Sequence, residues 1–265
     1  MAPQLPVKPG DISIPSAARS QMSTSKIIIL VLGLIIGSMA LMAFVSVMYL
    51  WPALEQANYA AKKTHSKNNL QQMGLALHNF HDIHNSFPSG VEGSKVGLPN
   101  HSWMTNLLPF VEQTQLFEEI DQDKSWNAPE NQKVFSQSIP AFISSSARPE
   151  QQRVGELGAA HYAGNSNLLG PNTARRLKSI KDGSSNTILA GEVATGFKAW
   201  GDPGNVRNPA DGFGQTATQF GDIEAGTMTL MLFADGSVHA IPTTIQQETL
   251  RALATPDGND QVGEF

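Results

Sequence analysis

Three histidines recur every third residue, at His78, His81 and His84, with Asp82 among them. Imidazole nitrogens and a carboxylate are typical ligands of zinc and related transition metals, so a metal site on a helix is one interpretation. Residues three apart on an α-helix fall about 60° short of a full turn at each step, so the three rings do not converge on one ion. We therefore expect structural or capping histidines, and the metal site is the alternative. No cofactor is expected.

A second acidic segment, Asp121 to Ser125, resembles the opening of a calcium-binding loop. The sixth position of such a loop requires glycine for a sharp turn, and the twelfth supplies a bidentate glutamate. Here these positions hold Trp126 and Gln132. The segment is therefore predicted to be a solvated loop that follows a helix.

No motif of nucleophilic, nucleotide-binding or metalloprotease catalysis occurs in the chain. A serine elbow, a P-loop, a dinucleotide fingerprint and a His-Glu-x-x-His helix are all absent from the sequence. Isolated acids and imidazoles remain, at His161, Glu192, Asp235 and His239, and they could act only if the fold gathers them. We expect a protein that is not an enzyme, and a hydrolase built on these four groups is an alternative.

The composition excludes several classes of protein. The 265 residues carry a net charge of −5, which argues against nucleic-acid binding because that function needs a basic surface. The chain has no cysteine, so it forms no disulfide, thiolate metal site or cysteine nucleophile. Its mean hydropathy of −0.19 suggests a soluble protein, but this average conceals one apolar segment.

That segment runs for 28 residues without a charge, from Ile27 to Leu54. A bilayer core of about 30 Å is spanned by about 20 apolar residues in a helix, so Ile27 to Trp51 is predicted to be a transmembrane helix. Lys26 and Tyr49 stand where interfacial residues are common. A cleaved signal peptide and a buried core helix are the alternatives. Basic residues nearly balance across the segment, so charge does not decide the orientation, while residues 85–265 carry −8.

The elements after this segment are expected to form an α+β domain. Residues 53–82 favour a helix whose buried stripe is Leu70, Met73, Leu77 and Phe80, ending before Phe87-Pro88. A second helix is predicted across residues 103–121. Strands are predicted at 186–191, 228–234 and 237–241, the last two joined by a two-residue Asp235-Gly236 turn. Residues after 255 are expected to be loose.

Five stretches of this sequence together resemble the DUF1559 family of bacterial pilin-like envelope proteins. They read PALEQANYAAKKTHSKNNLQQMGLALHNFHDIHNSFPSG from Pro52, SWMTNLLPFVEQTQLFEEID from Ser102, HYAGN from His161, IKDGSSNTILAGE from Ile180 and MLFADGSVHAI from Met231. The resemblance implies a pilin-like α+β fold in which a long N-terminal helix packs its second half on an antiparallel sheet. A kink at Pro52 is one expectation, because proline removes one backbone donor. The residues that match the family motifs are Leu77, His78, Asn79, His81, Asp82, Phe87, Pro88, Asp182, Gly183, Asn186, Thr187, Asp235 and Gly236.

The chain departs from the family pattern at three places. The glycine and glutamate of a prepilin leader would stand near Leu30 and Ile35, and neither is present. Two cysteines common in the family correspond to Ser66 and Ser144, as the loss of a whole disulfide would leave them. The histidine of the family's His-x9-Asp-Gly signature corresponds to Ala225.

The resemblance implies a single-pass protein of the bacterial inner membrane, with a cytoplasmic tail over residues 1–26, a periplasmic domain over 52–255 and a C-terminal tail over 256–265. Its expected function is a non-catalytic structural or scaffold subunit of a pseudopilus-like or secretion-associated assembly. The expected partners are the lipid bilayer and other pilin-like subunits or further copies of the chain, and any small-molecule ligand is left open.

Small residues that permit close helix packing in lipid are Gly33, Gly37, Ser38 and Ala40. The alternative is an anchored binding domain for glycan or another envelope component, for which exposed aromatics are needed; the candidates are Trp103, Trp126 and Trp200.

Overall fold

The computed structural model describes residues 23–89, 101–170, 173 and 175–258. The chain divides into two compact units, residues 1–57 and residues 58–265. Most of the N-terminal tail expected over residues 1–26 lies outside the described residues. The same holds for residues 259–265 of the expected C-terminal tail.

The first helix, α1, spans Thr24–His84 and continues through Pro52 without interruption. In the first unit its large apolar side chains are all exposed, from 41% at Val45 to 75% at Tyr49. Within the described residues, α1 is the one helix long and apolar enough to cross a membrane. Because this segment buries nothing, the alternative of a buried core helix is wrong.

In the second unit, the stripe predicted from the spacing of apolar residues faces the core. Leu70, Met73 and Leu77 are fully buried, and Phe80 is 3% exposed. The helix ends at His84, before Phe87-Pro88 as predicted. The following Asn85 adopts a left-handed conformation (φ 57°), and its N–H donates to the carbonyl of His81 (2.6 Å). This geometry satisfies one of the carbonyls left free at a helix C-terminus.

The second helix predicted across residues 103–121 is wrong. The segment forms a 3₁₀ helix over Thr105–Phe110 and then a short helix, α2, over Thr114–Glu118. Pro109 lies inside the first piece and has no N–H to donate, and Glu112 adopts a positive φ of 62° between the two. The apolar residues of the segment are nevertheless packed into or against the core, so the hydrophobic pattern was satisfied without a continuous helix.

The strands form two sheets within the described residues. The strands are β1 Arg153–Val154, β2 Leu157–Ala160, β3 Tyr162–Asn165, β4 Ile188–Glu192, β5 Lys198–Ala199, β6 Val206–Arg207, β7 Met228–Phe233 and β8 Val238–Pro242. A three-stranded antiparallel sheet has the order β1-β2-β5, and a five-stranded sheet has the order β6-β3-β4-β7-β8. The larger sheet is antiparallel except for β3 and β6, which are parallel, so the expected antiparallel sheet is in fact mixed. The remaining helices are α3 Gln132–Phe135, α4 Gln247–Ala254 and 3₁₀ turns at Pro140–Phe142, Pro149–Gln151, Leu177–Ser179, Ser184–Asn186 and Pro209–Asp211.

Strands β7 and β8 form the predicted hairpin, but its loop differs from the expected two-residue turn. The carbonyl of Phe233 accepts from Gly236 N–H (3.0 Å), and Phe233 N–H donates to the carbonyl of Ser237 (2.9 Å). Gly236 has a φ of 88°, which favours glycine. The loop therefore has three residues, 234–236, with Gly236 at the left-handed position that such loops require.

The core has two parts, divided by the larger sheet. Alternate residues of a strand point to opposite faces, and Leu230 and Leu232 of β7 pack in one cluster while Met231 and Phe233 pack in the other. The first cluster includes Leu70, Met73 and Leu77 of α1 and apolar residues of the segment after residue 101. The second includes Leu250 and other residues of α4. The sheet thus lies between the second half of α1 and α4.

Candidate functional site

In the first unit, the small residues of the apolar segment lie open along α1. A methyl group placed on Gly33 or on Gly37 would meet no atom within 4 Å. At 100° per residue, Gly33, Gly37 and Ala40 share one face of the helix, whereas Ser38 lies about 100° round from Gly37. The Ser38 hydroxyl donates within its own helix, to the carbonyl of Ile35 (2.8 Å). The open face is therefore formed by two glycines and an alanine.

In the second unit, the family-motif residues at the end of α1 meet around Phe87, which is fully buried. The rings of His78 and His81 lie 6.0 Å and 5.2 Å from the Phe87 ring. A methyl on Gly236 would come within 3.6 Å of the His78 ring, so α1 contacts the hairpin loop here. His81 Nε2 accepts from Leu177 N–H (3.1 Å), which places the proton of a neutral ring on Nδ1.

The loop over residues 182–187 joins the same region. Its carbonyls at Ser184 and Thr187 accept from the backbone N–H groups of Asp235 (3.1 Å) and Ala234 (2.9 Å). Within the loop, the Asn186 side chain donates to the carbonyl of Asp182 (3.2 Å). The sequence motifs Asp-Gly-Ser-Ser-Asn-Thr and Ala-Asp-Gly thus hold each other through backbone bonds. We call His78, His81 and Phe87, together with residues 182–187 and 234–236, the motif cluster.

Residues 256–258, which were expected to be loose, are bonded to the motif cluster. The carbonyl of Pro256 accepts from Lys181 N–H (2.7 Å), and Gly258 N–H donates to the Asp182 carboxylate (2.8 Å). Arg175 pairs with Asp257 at 3.1 Å. This part of the expected tail is therefore attached to the domain.

The three histidines in the last two turns of α1 face two different places. His78 and His81 pack on Phe87, whereas His84 stacks on Phe80 with ring centroids 4.1 Å apart. Among the other matching residues, Asn79 and Asp82 are exposed, and Pro88 is buried beside Phe87. The histidines are therefore held by aromatic contacts.

The segment that resembles a calcium loop is organised by a side chain that the sequence reasoning missed. Asn131 is fully buried, and its amide nitrogen donates to the carbonyls of Asp121 (2.9 Å), Ser125 (3.1 Å) and Lys124 (3.5 Å). Its amide oxygen accepts from Asp121 N–H (2.8 Å). An amide donor thus binds the carbonyls that line the loop.

A charge cluster that the sequence did not reveal lies where α1 crosses β4 and the loop before β7. Lys63 Nζ is 2.8 Å from Glu192 Oε2 and 3.2 Å from Asp222 Oδ1. The side chains are 19%, 4% and 1% exposed, respectively. Glu192 Oε2 also accepts from Leu230 N–H (3.2 Å). The only indication in the sequence was that Lys63 lies two helical turns before Leu70, and therefore on the face of α1 that is buried.

Asp222 is surrounded by hydrogen-bond donors. Its Oδ2 accepts from the hydroxyl of Tyr59 (3.0 Å) and from Gly226 N–H (3.1 Å), and its Oδ1 accepts from Glu224 N–H (3.1 Å). The turn contains Ala225, the position of the missing family histidine, at a positive φ of 55°. The Asp222 carboxylate therefore both closes this turn and contacts Lys63.

Burial dominates the electrostatics of this cluster. It raises the pKa of Glu192, and the neighbouring Lys63 partly offsets that effect. For Lys63, burial lowers the pKa, but Glu192 and Asp222 more than compensate, so the pKa lies above its usual value. Burial and the bond to Asp222 raise the pKa of Tyr59. The carboxylates of Glu192 and Asp222 thus share the Lys63 ammonium at a site that is largely shielded from water.

Ser66 and Ser144, which correspond to family cysteines, are in contact. Their hydroxyl oxygens lie 3.4 Å apart, and the residues are 2% and 3% exposed. The Tyr162 hydroxyl donates to Ser66 (3.1 Å) and accepts from the Asn69 amide (3.2 Å), and burial raises the Tyr162 pKa. The two positions inferred from the resemblance therefore form a pair in space.

The tryptophans considered as a binding surface are not exposed. Trp103 and Trp200 are fully buried, and their indole N–H groups donate to the carbonyls of Asn205 (3.0 Å) and Gln137 (2.8 Å). Trp126 is half-buried and packs against the core. These three residues thus serve the core and provide no aromatic platform.

The four groups considered for hydrolysis lie in three places. Glu192 belongs to the charge cluster, and His161 is 1% exposed beside the Phe197 ring at 4.4 Å. Burial lowers the pKa of His161 to about 4. On the hairpin, the Ser237 hydroxyl donates to Asp235 (2.6 Å) and lies 3.0 Å from His239 Nε2. In a catalytic triad the imidazole lies between the acid and the hydroxyl, whereas here the hydroxyl lies between the other two.

Arg207, on β6, is a second buried charge that the sequence did not reveal. It is 8% exposed, and its two terminal nitrogens donate to four backbone carbonyls, those of Thr195, Gly196, Thr216 and Gln219. Burial lowers its pKa to about 10. It also lines a cavity of about 290 Å³. The guanidinium joins the loop after β4 to the loop after β6.

The comparisons with known proteins agree with the motifs. No curated protein and no solved structure matches the chain. The family described as "Protein of unknown function (DUF1559)" matches residues 55–222, which is more than half of the chain. The match covers α1 from Glu55, the first Asp-Gly motif and all three members of the charge cluster. The protein therefore belongs to the DUF1559 family.

Proposed function

We propose that this protein is a non-catalytic structural subunit of a bacterial envelope assembly, anchored by the first part of α1. The observation that carries the proposal is the division of α1 into two parts with opposite environments. The segment from Ile27 to Trp51 is apolar and exposed, whereas from Ser66 onward the helix supplies the core of a folded domain. An exposed apolar helix of this length is stable only in lipid or against other helices.

The proposed assembly forms through lateral packing of anchor helices. Gly33, Gly37 and Ala40 present backbone on one face, and nothing in the first unit covers it within the described residues. Small residues on one face allow close approach of helices in lipid, where van der Waals contact drives association. Following the family resemblance, we place the anchor in the inner membrane, the N-terminus in the cytoplasm and the domain in the periplasm. The partners would be other pilin-like subunits or further copies of this chain.

Cross-linking in native membranes followed by mass spectrometry tests the assembly. Recovery of a second copy or of other pilin-like subunits supports the proposal. Recovery of the monomer alone would favour the alternative, an anchored binding domain for glycan or another envelope component. Of the three tryptophans considered for that alternative, Trp103 and Trp200 are fully buried and Trp126 is half-buried, which favours the structural role.

Replacement of Gly33 and Gly37 by leucine tests the packing mechanism. We expect cross-linked species to decrease, because the larger side chains separate the helices. Ser46→Leu is the matched control, since Ser46 lies nine residues from Gly37 and therefore on the opposite face of the helix. Equal cross-linking in both variants would show that this face does not mediate association.

A further inference from the structure

The Lys63 amine is placed between two carboxylates in a way that permits covalent chemistry. It contacts Glu192 at 2.8 Å and Asp222 at 3.2 Å, and both carboxylates are almost completely buried. From this geometry we propose that Lys63 and Asp222 join in an intramolecular amide (isopeptide) bond, with Glu192 relaying the proton. This inference goes beyond the proposed assembly role and does not depend on it.

The reaction is a condensation that needs no external reagent. A neutral Lys63 amine attacks the Asp222 carboxyl carbon, a C–N bond forms, and the C–Oδ1 bond then breaks. Of the three ammonium protons, one stays on the amide nitrogen, and two leave with Oδ1 as water. Glu192 carries these two protons in turn: it takes one from the ammonium before the attack and one from the nitrogen of the adduct after it, and it passes each to Oδ1. Glu192 therefore ends in the ionisation state in which it began. No atom is oxidised or reduced.

The donors around Asp222 suit the intermediate of this reaction. Its Oδ2 accepts from the Tyr59 hydroxyl at 3.0 Å and from Gly226 N–H at 3.1 Å. Two such donors stabilise the negative charge that develops on a carboxyl oxygen when an amine adds to the carbon. Asp222 is therefore the electrophile in the proposal, and Glu192, whose Oε2 is closest to the amine, is the relay.

Burial favours the amide over the ion pair. Two carboxylates and one ammonium leave a negative charge uncompensated, so one carboxyl readily takes up a proton. Amide formation replaces a buried cation and a buried anion with a neutral group, which removes their desolvation cost. Holding the groups in contact supplies an effective concentration of about 10⁵ M or more. The neighbouring pair Lys62–Glu224 has a 2.7 Å contact but is 33% and 27% exposed, and water competes there.

The bond would tie α1 to the loop that precedes β7. The chain has no cysteine, so no disulfide makes such a link. A covalent link at this position prevents the helix from being pulled away from the sheet.

Mass spectrometry of the purified full-length chain tests the proposal directly. Loss of one water lowers the intact mass by about 18 Da. Trypsin would leave Lys63 uncleaved, and the peptide Lys63–Lys67 would appear joined to Asn208–Arg251. Recovery of both peptides separately, with normal cleavage after Lys63, would overturn the proposal, whatever processing the N-terminus undergoes.

Variants assign the role of each group. Asp222→Asn should still form the bond but lose ammonia, about 17 Da, because the same carbon is attacked. Glu192→Gln retains both bonding residues and should slow the reaction about a hundredfold, as measured by the cross-linked fraction after pulse-labelling. Lys62→Arg is the control and should leave the bond intact. If folded Glu192→Gln, checked by circular dichroism, cross-links as fast as the wild type, the relay role is wrong.

Discussion

The contact between Ser66 and Ser144 predicts that a disulfide can be built at the two positions that the family resemblance relates to cysteines. The perturbation is the double substitution Ser66→Cys with Ser144→Cys. The hydroxyl oxygens are 3.4 Å apart and buried, and no other cysteine competes for pairing. We expect the two thiols to oxidise to a single intramolecular disulfide in the full-length protein in detergent.

The expected gain in stability follows from the length of the closed loop. The two positions are 78 residues apart. The loss of chain entropy in the unfolded state gives a ceiling of about 4.5 kcal/mol for a loop of this length, and engineered disulfides commonly deliver about 2–4 kcal/mol. Comparing the oxidised and reduced forms of the same variant cancels the loss of the Tyr162–Ser66 hydrogen bond, because both forms lack the hydroxyl.

Urea unfolding with and without reductant measures this difference, and thiol titration measures pairing. Ser66→Cys with Ser145→Cys is the matched control, since its loop is one residue longer but the Ser145 hydroxyl donates elsewhere, to the carbonyl of Lys62 (3.1 Å). We expect this control pair to oxidise more slowly. Free thiols in the first variant, or a gain below about 1 kcal/mol, would refute the inference that the two serines replace a disulfide pair.

Three further substitutions test the interior of the domain. Arg207→Met leaves buried carbonyls without donors and should lower the free energy of unfolding by about 3 kcal/mol. The control Arg148→Met, at a side chain 71% exposed, should change it by less than about 0.5 kcal/mol. Equal effects of the two substitutions in urea unfolding would contradict a stabilising role of the Arg207 hydrogen bonds. The pKa of His161 is about 4 in the folded state against 6.5 when unperturbed, so the unfolded state binds more protons, and stability should fall by up to about 3 kcal/mol as the pH drops from 6.5 to 4. His161→Phe should flatten that part of the pH profile, and an unchanged slope would show that another group titrates there. Gly158→Ala would place a methyl group against the carbonyl oxygen of Gln137 and should lower the free energy of unfolding by about 2 kcal/mol or more, measured as a lower thermal midpoint. A variant as stable as the wild type would show that the backbone around Gln137 moves away at no cost.

Local patterns in the sequence predicted much of the fold. The 3.6-residue spacing of Leu70, Met73 and Leu77 identified the face of α1 that is buried, because burial follows periodicity on a rigid helix. The proline after Phe87 located the helix end to within a few residues. The break at residues 111–113 was missed although Pro109 gave a local signal, since the apolar spacing of the segment also fitted a helix.

The charge cluster and the contacts of Arg207 with four backbone carbonyls could not be predicted in this way. Lys63 and Glu192 are 129 residues apart, and neither belongs to a motif whose spacing implies a contact. The same holds for Arg207, whose partners are backbone carbonyls, which every residue carries. Such contacts depend on how strands and loops are brought together, and a single sequence holds no local trace of that.

The sequence by itself determined the apolar segment from Ile27 to Trp51 and the buried stripe of α1, because composition and periodicity act over a few neighbouring residues. The resemblance of its motifs identified the family. The tertiary structure alone decided which polar groups meet. It brought Ser66 to Ser144, gathered the motif residues around Phe87, and placed Lys63 between Glu192 and Asp222. Those contacts arise when the second half of α1 packs on the sheet, since a buried polar side chain that loses its contact with water is stabilised by a partner elsewhere in the chain.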